Sequence, residues 1–248
     1  MPQGKKSARM YPIKQDWAKD RERYGMLQDI VEISDGKVYG TNDMVKAACN
    51  DCAGCHSCCE GMGDTILLDP YDVYRLTMGL GKSFEQLLAA EIELHVEAGV
   101  IVPNLKMDAE KNQCFFLNDE GRCRIHTLRP GLCRVFPLGR IYEENGISYF
   151  LQKEACKKEN RTKVKVSKWL DMPELKKYHQ FLKDWHEVKK CAEQYIGSMA
   201  EENDAKTVNL FLLNLFFTTA YDGERDFYEQ FYWRMEQVKT VLPMEQHI

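Results

Sequence analysis

The stretch that most constrains this chain is Cys49-Asn-Asp-Cys52-Ala-Gly-Cys55-His-Ser-Cys58-Cys59. Five of the ten cysteines fall within these eleven residues, the first four separated by two residues each. A C-x2-C spacing lets two sulfurs converge on one small object, because a tight turn brings both to the same side of the backbone. Three such steps ending in an adjacent pair crowd more thiols together than packing requires, which points to a metal ion or an iron–sulfur cluster.

The rest of the chain decides how those thiols are read. At 248 residues it is long enough to bury a real core, and 44% hydrophobic with 29% charged is ordinary for a globular protein. Thirty-eight acidic against 34 basic residues give a formal charge of −4, so no global field draws in nucleic acid or anionic lipid. Residues 1–13 carry charge and two prolines but no apolar run, and do not read as a signal peptide. The greasiest segment, 208–217, is about half the length a bilayer needs and contains Asn209 and Asn214. The expected address is therefore the reducing cytoplasm, where dense cysteines serve as ligands or redox groups rather than disulfides.

Periodicity and turn signals predict an α+β chain: a small cysteine-rich metal-binding module of short hairpins and helices, with a C-terminal helical unit. The expected divisions are an N-terminal arm over 1–45, the module over 46–160 and the helical unit over 161–248. A short helix is expected around Asp16 to Met26, and Asp35-Gly36 reads as a turn. Asp69-Pro70 reads as a helix cap with proline at the first helical position, the helix running to about Thr77 and stopping at Gly79-Leu-Gly81. Ser83 to Glu97 fits a second helix, with Phe84, Leu87, Leu88, Ile92 and Val96 at helical spacing. Val100 to Met107 is expected to be extended. Hairpins are expected for Cys114–Leu117 with Arg122–Ile125, and for Arg140–Tyr142 with Ile147–Leu151. Thr127 to Arg134 reads as a compact turn holding one turn of helix. Beyond Asp171 the pattern is helical. Leu175, Tyr178, Leu182, Trp185, Val188, Ala192, Ile196 and Met199 form one stripe. A helix capped by Asp204 is expected to end near Gly223, and another to run from about Glu224 to Val241.

The second half of the cysteine constellation is Cys114, Cys123 and Cys133, with Cys156 further on. Taken together, Cys52-x2-Cys55-x2-Cys58-Cys59, then Cys114-Phe-Phe-Leu117, then Cys123-Arg-Ile-His126-Thr-Leu-Arg129-Pro130-Gly-Leu-Cys133-Arg134-Val-Phe136-Pro137, then Cys156, resemble the YkgJ-type cysteine-cluster family. That family is named for zinc or iron chelation. The resemblance covers roughly residues 50–157. It departs from the family pattern at His126, where a tyrosine is usual, and Cys49 lies outside the core pattern, its ligand role open. Flagellin lysine methylases are similar to the family at a distance, so the resemblance implies metal more firmly than it implies a reaction.

Eight thiols, those of Cys52, Cys55, Cys58, Cys59, Cys114, Cys123, Cys133 and Cys156, suit two four-coordinate centres: two zinc ions, two cubane clusters, or one of each. Three cysteines at close two-residue spacing with distant partners favour an iron–sulfur cluster, of the 4Fe-4S kind, over zinc. Four thiolates around Zn²⁺ or a cubane leave a net negative centre, which Arg122, Arg124, Arg129 and Arg134 lie placed to offset. Arg129 and Arg134, inside the shared motif, are the favoured cofactor-contacting pair.

Other residues have blander readings. His56 is surplus to the thiols, and His126 reads as a polar turn residue. His179 and His186, seven apart, share a helix face and read as packing groups, while Cys191 reads as a free thiol. The basic run Lys153, Lys157, Lys158, Arg161, Lys163, Lys165 and Lys168 reads as a solvated linker more readily than as an RNA or phosphate contact. Phe211, Phe216, Phe217, Phe227, Tyr228, Phe231, Tyr232 and Trp233 read as the core of the helical unit. No Ser–His–Asp order, phosphate loop, dinucleotide fingerprint or H-E-x-x-H is present. The expected function is a metal-binding protein with metal ions as its ligands and a protein partner or substrate left open. The alternatives are a cluster-dependent group-transfer enzyme, such as a protein lysine methylase, and a redox or metal-delivery partner.

Overall fold

The computed structural model describes residues 30, 32–49, 55–199 and 201–244. The helix expected around Asp16 to Met26 lies outside these. The described chain is α+β, built from short antiparallel strand pairs and a set of C-terminal helices.

Strands β1 (Ser34–Tyr39), β7 (Leu138–Glu143) and β8 (Gly146–Gln152) form a three-stranded sheet in the order β1-β8-β7. The β7–β8 hairpin is the one expected from the glycine at its turn. Asp35-Gly36 falls inside β1 at an irregularity in its register with β8, rather than at a turn between strands. Strand β2 (Met44–Ala48) pairs with β9 (Thr162–Lys165). The basic run is therefore partly a strand, and not the linker its composition suggested.

Helix α1 (Pro70–Leu80) begins at Asp69, whose carboxylate accepts from the Asp72 N–H while Asp72 returns the bond, a capping box with proline at the first position. It ends on Gly81, which adopts the left-handed conformation (φ 63°) that relieves a helix C-terminus. Ser83 caps as expected, but helix α2 covers only Phe84–Leu88. The segment then becomes strand β3 (Ile92–Glu97), paired in full register with β4 (Val100–Leu105). The expected helix over 83–97 is thus replaced by a helical turn and a hairpin arm. A strand needs only one apolar face. Ile92, Leu94 and Val96 share that face; Ile92 is buried where the strand leaves the core, and Leu94 (43%) and Val96 (61%) are exposed toward the hairpin tip.

Strands β5 (Met107–Asp108) and β6 (Gln113–Cys114) make a two-residue ladder. The expected hairpin between Cys114–Leu117 and Arg122–Ile125 is reduced to a single bridge, Leu117 with Cys123, around a tight Asn118–Gly121 turn. A 3₁₀ turn over His126–Leu128 and the five-residue helix α3 (Gly131–Val135) occupy the expected compact turn.

After α4 (Val166–Leu170) comes the longest element, α5 (Leu175–Gly197), which buries Tyr178, Phe181, Leu182, Trp185, Val188, Ala192 and Ile196 along one stripe. Each such side chain contributes about 1.5–3 kcal/mol when fully buried. Helix α6 (Glu202–Leu213) runs into a π-helical turn at Asn214–Thr218, stopping short of the expected Gly223. Helix α7 (Phe227–Val238) is capped by Asp226. Aromatic contacts knit α1 to α5 and α7, with Phe181–Phe231 centroids 4.7 Å apart and Tyr71–Phe227 4.9 Å apart. One buried cluster extends from Val45 to Leu242. Trp233 is the exception among the expected core aromatics, at 63% exposure. Among the described residues no helix is long and apolar enough to cross a membrane.

Candidate metal centre

Five thiols from four separate segments, Cys58 and Cys59, Cys114, Cys123 and Cys133, lie within electrostatic reach of one another. Cys58 and Cys59 sit on a 3₁₀ turn (Ser57–Cys59), closed by the Cys59 N–H donating to the His56 carbonyl at 2.7 Å. The next two residues tie this turn to the β6 strand: Glu60 bridges Gln113, and the Gly61 N–H donates to the Asn112 carbonyl at 2.9 Å. Cys114 ends β6. The Arg122 N–H donates to Asn118 Oδ1 (2.7 Å) and the Arg124 N–H to the Phe116 carbonyl (2.8 Å), which folds Cys123 back toward Cys114.

Cys133 lies in α3, and α3 is pinned from below. Asp72 Oδ1 accepts the Gly131 N–H at 2.7 Å, and Arg140 donates to the Gly131 carbonyl at 3.0 Å. A Cβ at Gly131 would stand 2.5 Å from the Tyr178 hydroxyl, so only glycine allows the loop to settle this close to α5. Arg75 and Arg134 both donate to the Thr127 carbonyl, at 2.6 and 3.0 Å.

Each of these thiols feels the others. The adjacent Cys59 side chain lowers the Cys58 thiol to about 7, while Cys58, burial and the Cys123 and Cys114 charges raise Cys59. Burial pushes up Cys114, Cys123 and Cys133, and for Cys133 the charges of Cys114, Asp72 and Cys123 add to it. Opposing that, the backbone N–H of Phe116 lowers Cys114 and that of Ile125 lowers Cys123. Amide dipoles placed in this way, two residues onward, favour thiolate charge around a bound metal. Partly buried thiols grouped in this way resist ionising without a cation, and a thiophilic metal supplies one. The donor set fits such a metal. Among the described residues no group of three Cys, His, Asp or Glu side chains is already gathered closely enough to hold a metal ion.

A second group lies on the outer side. Cys49, Cys55, Cys58 and Cys156 line one small cavity with Phe136, Pro137 and Trp169. Cys58 thus borders both groups. Cys52 lies outside the described residues. Arg129, whose Nε donates to the His126 carbonyl at 3.0 Å, lowers the Cys58 and Cys123 thiols by its charge. Arg122 acts on Cys123 and Arg124 on Cys114 in the same direction. Arg134 is placed differently: it is buried, and donates to the carbonyls of Thr127 and Asp171 (3.1 Å) with the Asp171 carboxylate 3.7 Å away.

The remaining candidates are held elsewhere. His56 Nε2 is 3.3 Å from Glu60. His179 bonds the Tyr149 hydroxyl at 2.8 Å, and His186 stacks on Tyr142 at 4.2 Å. Asp72 and Arg140 were not singled out from the sequence, and Asp69 was read only as a helix cap. The Asp69-Pro70-Tyr-Asp72 capping box was the one signal available, and nothing in it shows that Asp72 also reaches Gly131.

Thiols from separate loops are grouped here against the helices, the donor chemistry of a metal-chelating module. Consistently, residues 51–162 match the family model CxxCxxCC, described as a putative zinc- or iron-chelating domain. It is the cysteine-cluster family that the motif pattern resembles, and the match covers rather less than half of the chain. No curated protein and no solved structure matches the chain.

Proposed function

We propose that the chain is a cytoplasmic metal-binding protein whose eight family-pattern cysteines hold one or two iron–sulfur or zinc centres, with a 4Fe-4S cluster the favoured occupant. The observation that carries this reading is that Cys58, Cys59, Cys114, Cys123 and Cys133, from four separate segments, lie close enough to act on one another's charge. The inner centre draws four ligands from these five. The outer centre draws on Cys52, Cys55 and Cys156 with the fifth of those thiols, and Cys49 lines the same cavity as Cys55, Cys58 and Cys156. Bound there, the metal offsets clustered thiolate charge and ties four loop segments together, so it supplies folding free energy to a region short of regular structure. Arg122, Arg124 and Arg129 balance the negative centre.

Replacing Cys58 or Cys133 by serine tests this. Both variants should retain less metal than wild type and melt at lower temperature, whereas Cys191→Ser, on the outer half of α5, should leave metal content unchanged. Unaltered metal in both Cys58→Ser and Cys133→Ser would contradict the assignment.

A further inference from the structure

Beside the outer thiols lies an open cleft of about 770 Å³, within the size range of small-molecule sites. Its walls carry three cations, Arg129, Lys158 and Lys168, against two carboxylates, Glu159 and Asp171, and Asp171 faces Arg134 at 3.7 Å. Trp169 forms a wall common to the cleft and the thiol cavity, and its indole is fixed in place by donating to the carbonyls of Phe136 (3.2 Å) and Val135 (3.4 Å). Cys49 and Lys158 also border both spaces. Local positive charge, a held aromatic face and adjacency to the thiols coincide here, in a chain whose net charge is −4.

We propose that this cleft is a binding site for a small organic anion, one carrying a phosphate or carboxylate group and a flat ring, held next to the metal centre. The anionic group sits among the positive charges of Arg129, Lys158 and Lys168, and the ring lies against Trp169. The concave shape and the presence of two carboxylates favour a compact anion over a polyanionic strand, whose contacts would extend over a convex basic surface. The position makes this the substrate or effector subsite of the metal centre, and in that respect the inference rests on the proposed function.

The test is calorimetric titration of the full metal-loaded chain with AMP and, separately, with benzoate at low ionic strength. At least one probe should bind with millimolar or tighter affinity. The double variant Lys158→Ala/Lys168→Ala should bind that probe at least about tenfold more weakly, the loss expected for two charged contacts, with metal content unchanged. No binding of either probe, or equal binding by the double variant, overturns the inference. So does a single-stranded oligonucleotide that binds far more tightly than AMP with a steep salt dependence, which would make the patch a nucleic-acid contact. Loss of metal in the double variant would assign the lysines to the metal centre and overturn the cleft as a ligand site. A chain purified without metal would instead refute the proposed function, while binding of the probes could still be measured.

Discussion

Asp72 is one of the few buried carboxylates, and its position explains more of the candidate site than any other non-cysteine side chain. One carboxylate oxygen closes the N-terminal turn of α1 and the other accepts from Gly131, two residues before Cys133. Removing it leaves an N–H without its acceptor and frees the floor of the thiol cluster. Asp72→Ala should cost about 1–3 kcal/mol, the range for orphaning a buried hydrogen-bonding group. Asp72→Asn, which keeps one carbonyl oxygen to accept, should cost less; urea unfolding of both variants decides, and equal losses would contradict the tether. The thiols themselves were readable from their spacing, because ligand types at fixed intervals are a property of the chain. Asp72 was not, because its partner lies 59 positions away. Arg129 and Arg134 show the same limit: both sit in one motif, yet one faces the thiols and the other turns to backbone carbonyls.

A second effect at this scale is pH-dependent. Burial, assisted by Arg140, lowers His179 below its ordinary value, and burial lowers His186. Both are therefore neutral in the folded chain at neutral pH, and the unfolded chain takes up protons first as the pH falls. The stability they confer is whole above about pH 6.5, the unfolded histidine value, and declines as pH drops below it toward the lowered folded values. His179→Gln should flatten that decline between about pH 6.5 and 5. A wild-type urea midpoint that rises over this window, or a variant that declines as steeply, would contradict the assignment.

At the scale of elements, local signals served well where a cap or turn residue left one option and poorly where periodicity left two. Asp69-Pro70, Ser83 and the Glu144–Gly146 turn placed α1, the start of α2 and the β7–β8 hairpin. The 83–97 segment failed because Ile92 and Val96 satisfy a helical stripe and a strand face alike, and pairing with β4 decides between them. Asn209 shows how distant elements then lock. Its Oδ1 accepts the Ile101 N–H at 2.7 Å and its Nδ2 donates to the Gly99 carbonyl at 2.9 Å, joining α6 to the β3–β4 turn. Asn209 and Asn214, polar residues within the apolar segment 208–217, were the available sequence signal. Asn209→Ala should destabilise by about 1–3 kcal/mol and loosen protection of the Ile101 amide in hydrogen exchange; unchanged protection there would show that the hairpin is held by packing alone.

At the scale of the whole molecule, the cysteine module and the C-terminal helices share one buried cluster, with Tyr71 of α1 against Tyr178 and Phe181 of α5 and Phe227 and Tyr228 of α7. The proposed division near residue 160 separates two kinds of composition, and the core passes across it. The helices thus serve as the rigid floor on which loops carry the thiols, with Gly131 resting against Tyr178 of α5. The central claim is that this floor and these loops exist to hold metal. Its most direct test is quantification of iron, zinc and acid-labile sulfide, with an absorption spectrum, on full-length protein purified without oxygen. The account predicts a brown protein with iron and sulfide in equal amounts or, on the zinc alternative, a colourless one with about two zinc ions per chain, the number eight thiolates can close. Protein that is folded, with all of its thiols free and neither metal bound, would contradict it.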